Sequence, residues 1–160
     1  TRINMMINYH VDGDAKLTGT VDQINEAVRQ SIVRSTLKLL VKVKREKLSG
    51  QVLNVRTGRL RRSITQKVID LSNGVTGIVG TNVEYAAAHE YGFKGDVTVK
   101  AHLRMIKMAF GKSISPKQVS IKTHTRKVDL PEKSFLRSAL EEMRKEIKQD
   151  LEVSIQRGIA

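Results

Sequence analysis

Two histidine patterns are the first candidates for chemistry in this sequence. His89-Glu90 begins like the zinc-protease motif H-E-x-x-H, but Phe93 stands where the second histidine would be. His102 and His124 could lie across a pair of strands, yet two histidines fall short of the three or four protein ligands that zinc takes. The chain has no cysteine, which excludes thiolate metal sites, disulfides and a cysteine nucleophile. The residues therefore predict no metal, no cofactor and no catalytic residue.

An arginine cluster is the next candidate. Four arginines fall within seven residues: Arg56, Arg59, Arg61 and Arg62. Guanidinium forks match the geometry of phosphate and carboxylate, so the cluster predicts either nucleic-acid binding or ion pairs with another subunit. Thr57-Gly58 is typical of a turn, and the spacing of Leu60 and Ile64 predicts a short helical turn with the arginines around it.

The segment at about 96–129 is predicted to be a long β-hairpin whose two sides resemble each other. Residues 99–106 and 121–128 share the pattern apolar-Lys-x-His-x-Arg-x-apolar, and the tip is expected between Gly111 and Pro116. If His102 lies opposite His124, one face carries six basic residues: Lys100, His102, Arg104, Lys122, His124 and Arg126. Like charges across a ladder destabilise it by roughly 0.2–1 kcal/mol per pair, so we expect an anionic partner to complete this face.

The length of the hairpin predicts that it projects. An arm of about 13 residues reaches roughly 40 Å at ~3.3 Å per residue. A chain of 160 residues cannot easily cover such an arm, so we expect it to pack on a neighbouring subunit. The alternative is a hairpin folded back over its own sheet.

Charge and composition place these candidates in a basic, folded protein. The chain has 29 Lys and Arg against 16 Asp and Glu, a net charge of +13, and 39% hydrophobic residues. This composition predicts a single domain over residues 1–160, with a field that attracts polyanions or an acidic protein surface. Aromatic residues are only 4%, which argues against a base-stacking platform. The sequence shows no secretory leader and no apolar run near the roughly 18 residues of a membrane helix, so we expect an intracellular product.

The elements that must position these residues are a sheet and two long helices. Period-two alternation predicts a strand over residues 3–11, followed by a turn at 12–14, and Asn73-Gly74 predicts a hairpin between 64–70 and 75–81. Helices are expected near 21–48, over 83–91 and over 131–158. For the first helix, Thr20 and Gln23 have capping-box spacing, and Gly50 ends the apolar pattern. The predicted fold class is α+β: an antiparallel β-sheet with a long N-terminal helix and a C-terminal helix packed on it, plus a long projecting β-hairpin.

Four segments between residues 52 and 140 also carry a resemblance to a known family. In order, RTGRLRRSI (56–64) resembles its T-G-x-L-x-x-S-I, VGTNVEYA (79–86) its V-G-T-x-x-x-Y-A, HEYG (89–92) its E-aromatic-G, and LPEKSFLRSAL (130–140) its P-x-R-P-F-L-x-x-A-L. The family is the tail-completion proteins of tailed bacteriophages, also called neck or head–tail joining proteins. Lys133-Ser134 replace the usual Arg-Pro, and the segment from Gly92 to Pro131 is long, as in a subset with an extended hairpin.

The resemblance implies a structural virion protein and not an enzyme. It implies a ring, expected to be a hexamer, that joins the head connector to the tail. Its partners would be copies of itself and the adjacent connector, tail-terminator or tail-tube proteins, with DNA in the channel as a further contact and no membrane. Its location would be the virion, after the host cytoplasm during assembly.

The residues of the matched motifs are expected to hold the fold or an interface. They are Thr57, Gly58, Leu60, Ser63, Gly80, Tyr85, Ala86, Glu90, Gly92, Phe135 and Leu136. We expect Gly80 and Gly92 to permit sharp turns, and Tyr85 and Tyr91 to bury their rings. Phe135 and Leu136 are expected to fix the last helix on the sheet. The alternative function is a basic nucleic-acid-binding protein that uses the Arg56–Arg62 cluster and the basic hairpin. An enzyme such as a nuclease would need clustered acids for metal, which the sequence does not provide.

Overall fold

The computed structural model describes residues 3–9, 18–72 and 74–159, and it combines helices with short antiparallel strands. The helices are α1 (Thr18–Lys42), which continues as a π-helical segment (Val43–Gln51), α2 (Arg59–Ser63), α3 (Ala86–Tyr91) and α4 (Arg137–Ile159). The strands are β1 (Ile3–Tyr9), β2 (Thr65–Leu71), β3 (Gly74–Thr81), β4 (Phe93–Val99), β5 (His102–Ala109), β6 (Lys112–Ile121) and β7 (His124–Leu130). The α+β class is confirmed. The turn predicted at 12–14 lies outside the described residues.

The first three strands form an antiparallel sheet in the order β1-β3-β2. The predicted hairpin is confirmed, because β2 and β3 pair from Thr65 opposite Gly80 to Leu71 opposite Gly74. The expectation for Gly80 was wrong. It lies inside β3, between Asn4 of β1 and Thr65 of β2, and makes no turn.

The sheet, α1 and α4 lie in three successive layers. Helix α1 packs on β3 and β2, and α4 packs along the other side of α1. Phe135 and Leu136 are fully buried in this core, but the helix that they precede is fixed mainly to α1 and not to the sheet. The shared core consists of Val28, Ile32, Leu39, Val43, Leu48, Ile64, Val79, Val83, Ala86, Phe135, Leu136, Ala139, Met143 and Ile147.

A glycine sets the distance between α1 and the sheet. A Cβ placed on Gly77 would lie 2.2 Å from Oγ1 of Thr36 and 3.1 Å from a methyl group of Ile32. A larger residue fits there only if the side chain of Thr36 or the helix shifts, since cores are already close-packed.

The helix ends differ from the predicted ones in ways that matter for the site. Helix α1 already includes Thr18, two residues before the predicted cap at Thr20. Its π-helical extension loses helical geometry at Leu48, Ser49 and Gly50, and the φ of +121° at Gly50 explains the glycine there. Helix α4 begins at Arg137, six residues after the predicted start.

Residues 93–130, hereafter the arm, form a separate antiparallel ribbon. Strand β4 pairs with β7 and β5 pairs with β6, so the ribbon is one long hairpin with a break in the middle. No residue from 91 to 134 is buried. The projecting hairpin of the predicted fold is therefore confirmed, with bounds slightly wider than expected.

Candidate functional site: a basic arm and an arginine loop

The register of the arm differs by three positions from the predicted one. His102 lies opposite Ile121, and His124 lies opposite Val99. Arg104 faces Val119 and Arg126 faces Val97, so neither arginine has a basic residue across the ladder. The prediction of six basic residues on one face was wrong. A register shift by an odd number of residues moves the side chains of one strand to the opposite face relative to its neighbour. In the arm, this shift removes the expected pairs of like charges.

The internal similarity of the arm corresponds to a real local symmetry. Each copy of the pattern leaves the ladder at Lys-x and re-enters it at its histidine, which opens β5 in one case and β7 in the other. Nδ1 of His102 lies 2.9 Å from the carbonyl oxygen of Lys100, and Nδ1 of His124 lies 3.0 Å from that of Lys122. The backbone N–H of Ala101 donates across the break to Oγ1 of Thr123 at 3.2 Å. The repeated residues thus build the break.

The tip of the arm is an unusual turn. Ala109 pairs with Lys112, and the two residues between them, Phe110 and Gly111, have φ of +51° and +77°. Two positive φ values define a type I′ turn, for which Asn-Gly is the favoured sequence. A phenylalanine in this left-handed conformation is disfavoured by roughly 1–2 kcal/mol. Its ring is also fully exposed, so the turn places an apolar side chain in solvent at the end of the arm.

The predicted tip at 111–116 was right at Gly111 and wrong at its other end, because residues 112–116 belong to β6. The pairing steps from Ile106 opposite Lys117 to Met108 opposite Ser113. Residues 114–116 of β6 lie opposite Lys107 alone, so β6 has two extra residues there, which suits a proline that has no N–H for a ladder.

The outer half of the arm carries basic and apolar side chains on both of its faces. Side chains alternate along a strand, so His102 and Arg104 share one face, while Leu103 and Met105 share the other. By the same alternation Met108 lies on the face of His102 and Arg104, where Ile121 and Val119 are their cross-strand partners. Leu103, Met105 and Met108 are all more than half exposed, and Phe110 is fully exposed at the tip. Several large apolar side chains exposed on one ribbon are typical of an interaction site.

The second surface is the arginine loop, residues 54–62. Gly58 has a φ of +69° and precedes α2, Leu60 is half-buried, and Ile64 is fully buried. This confirms the predicted short helical turn. The four cluster arginines are all exposed around it.

The matched sequence motifs are joined to one another by hydrogen bonds. Ser63 Oγ donates to the carbonyl oxygen of Leu60 and lies 2.7 Å from Oγ1 of Thr81, so the first motif meets the second. The Glu90 carboxylate accepts the backbone N–H groups that open α4, so the third motif holds the fourth. The capping role of Glu90 was not predicted from the sequence, although the residue belongs to a matched motif. The one feature of the sequence that could have indicated this role is the position of Glu90, a charged residue among alanines and aromatic residues.

Two other motif residues differ from expectation. Tyr85 and Tyr91 are exposed rather than buried. The Tyr85 ring meets His89 edge-on at 5.9 Å, and the Arg137 guanidinium lies 4.8 Å from the centre of the Tyr91 ring. Gly92 behaves as predicted, with a φ of +75° and no room for a Cβ beside the carbonyl oxygen of Leu130.

Ion pairing separates the basic residues into two groups. Between the helices, Lys38 pairs with Glu146 and Asp150, and Glu142 pairs with both Lys42 and Lys47. Among the described residues, the arginines of the loop have no ion pair, and Lys94 is the only basic residue of the arm that has one. The net positive charge is therefore concentrated, unneutralised, on the arm and the loop.

No group of three or more His, Asp or Glu side chains within residues 3–9, 18–72 and 74–159 is placed to hold a metal ion. No helix in the same ranges is long and apolar enough to cross a membrane. Comparisons with protein-family models, with curated proteins and with solved structures found no match.

Proposed function

We propose that this protein is a structural subunit of a tailed bacteriophage, which forms a ring at the head–tail junction and joins the connector to the tail. One observation carries the proposal: the arm has no buried residue along its whole length. A two-stranded ribbon is at best marginally stable alone in water. Such an arm gains its stability when another molecule covers it.

The side chains of the arm favour a protein partner. Exposed Leu103, Met105 and Met108 lie among the basic side chains of the ribbon, and its tip exposes the ring of Phe110. A partner with an apolar patch and nearby carboxylates would bury these apolar side chains and neutralise the basic ones. Because the arm and the surface that receives it differ, repeated copies of such a contact run head to tail and close into a ring when the rotation allows. The motif resemblance is what assigns this ring to a phage neck.

Genetic removal tests this function. Deletion of the gene from a phage that carries it should leave DNA-filled heads and separate tails that fail to join, as counted by electron microscopy. The wild-type gene supplied in trans should restore joined particles. Normal yields of joined particles without the gene would contradict the proposal.

A second function, binding of duplex DNA, is favoured by one specific observation. Residues 100–126 contain seven Lys and Arg and no acid. A two-stranded β-ribbon fits the major groove, and neutralised phosphates make affinity steeply dependent on salt. Fluorescence anisotropy with a labelled duplex distinguishes the two functions. A loss of affinity of about 10³ between 50 and 200 mM salt would support DNA binding, and weak binding with a shallow slope would count against it.

A further inference from the structure

The arginine loop forms one wall of a cavity of about 550 Å³. The kinked end of α1 and residues of α3 complete it. Its apolar lining runs from buried Leu48 through half-buried Leu53 and Leu60 to exposed Val55 and Tyr85. The lining therefore offers an apolar interior that opens to solvent, which is the form of a site for one bulky side chain.

The rest of the lining is basic. Arg56, Arg59 and Arg61 contribute to the wall, together with Lys133, and none of the lining residues is acidic. A neighbouring cavity of about 460 Å³ shares Arg56 and Arg61 and adds Lys44 and Arg62. A chain that crosses from one cavity to the next would pass all four guanidinium groups, which have no ion-pair partner in the part of the chain that the structure describes.

The charge of this site decides between occupants. The arm of a second copy is excluded, because residues 100–126 carry seven basic residues and no acid and would meet like charge. A neutral apolar peptide would fill the interior but leave the arginines without partners. A peptide with carboxylates on both sides of a large apolar side chain satisfies both parts, because carboxylates take bidentate bonds from arginine.

We propose that this cavity binds an extended acidic segment of another protein, with one bulky apolar side chain among Leu48, Leu53 and Leu60 and flanking carboxylates on Arg56, Arg59 and Arg61. The inference concerns a different surface from the arm. It goes beyond the proposed ring and does not depend on it.

Selection from a library of random peptides of about 12 residues, long enough at ~3.3 Å per residue to cross both cavities, tests the proposal on the full-length protein. The selected peptides should be rich in Asp and Glu next to Leu, Ile or Phe. A synthetic peptide from the selected pool should lose about tenfold or more in affinity for a variant with Arg56→Gln, Arg59→Gln and Arg61→Gln, and its wild-type affinity should fall with salt. Circular dichroism checks that the triple variant is folded. The single exchange Arg59→Gln should give a smaller loss of peptide affinity. The exposed Val55→Ser exchange should also weaken binding, because it removes part of the apolar lining.

The matched control changes two exposed basic residues of α4 that line neither cavity, Arg144→Gln and Lys145→Gln, and should leave peptide affinity unchanged. Selected peptides that are not acidic, or equal affinity of the acidic peptide for the triple variant, would overturn the proposal. The proposal would also be overturned if no peptide is selected and a labelled DNA duplex binds the wild-type protein but not the variant that lacks the three arginines. None of these peptide-binding results bears on whether heads and tails join when the gene is deleted. The cavity proposal and the proposed function can therefore fail independently of each other.

Discussion

Glu90 and Arg137 are joined by backbone and side chain although they lie 47 positions apart. The buried Glu90 carboxylate accepts the backbone N–H of Arg137 at 2.9 Å and its guanidinium Nε at 3.3 Å. It also accepts the N–H groups of Phe135 and Leu136, at 2.8 and 2.9 Å. The first N–H groups of a helix have no partners within the helix, and an anion suits that end. Glu90 therefore fixes the start of α4 from a distant part of the chain.

Glu90→Gln tests this cap. An amide retains one acceptor oxygen but loses the charge and leaves buried N–H groups unsatisfied, so we expect a loss of about 1–3 kcal/mol in the free energy of unfolding. Urea denaturation measures it. The control is Glu132→Gln, which removes the charge of an exposed carboxylate 2.6 Å from the same guanidinium and should cost less than about 1 kcal/mol. Equal losses for the two variants would show that the cap adds little.

Gly77→Ala tests the close contact between α1 and β3. The new methyl group would meet Oγ1 of Thr36, so we expect a loss of about 1–3 kcal/mol. Thr36→Ala removes that oxygen, and the double variant should be more stable than the sum of the two single losses predicts. Additive losses in thermal and urea unfolding would mean that the glycine is needed for another reason.

The acid dependence of stability tests the pairing of Glu142. Its hydrogen bond from Lys47, followed by that from Lys42, holds the pKa of Glu142 below its ordinary value of 4.5. A carboxyl whose pKa is lowered by folding stabilises the fold above that ordinary value, and this contribution is lost as the pH falls through the lowered one. Glu142→Gln should therefore flatten the decline of stability in this acid range. Glu141→Gln, which also removes one carboxylate from α4, is the control, and an identical flattening there would contradict the assignment.

The tip of the arm should separate stability from assembly. Phe110→Asn gives the turn its favoured Asn-Gly sequence, so thermal stability should stay the same or rise. Head–tail joining should fall, because the exposed ring is lost. Wild-type joining by this variant in a complementation assay would show that Phe110 is not a contact residue.

The sequence predicted the elements better than their contacts. The Asn-Gly signal located the hairpin although Gly74 is the first residue of β3, paired with Leu71, and Leu60 with Ile64 located α2 by spacing alone. The register of the arm could not be predicted in this way, because a repeated pattern is compatible with several pairings and only the position of the turn selects one. That turn has Phe110 where Asn is favoured, so the usual signal was missing.

Long-range contacts account for the remaining errors. The start of α4 depends on Glu90, which no local pattern near Pro131 reveals. Tyr85 and Tyr91 were expected to be buried because of their residue type. The ring of Tyr91 is instead exposed, and the Arg137 guanidinium lies over it. The cavity beside the arginine loop combines residues from three separate segments, so its apolar interior was not visible in the cluster RTGRLRR.

Replacement of residues 100–123 by Asn-Gly is the most direct test of the claim that the arm is an assembly surface. The new turn would join Val99 to His124, which already face each other, and would leave β4 and β7 paired. The account predicts a variant that unfolds at nearly the wild-type temperature, since no buried residue is removed, but that fails to restore head–tail joining when supplied in trans. A folded variant that restores joined particles to the wild-type yield would contradict it.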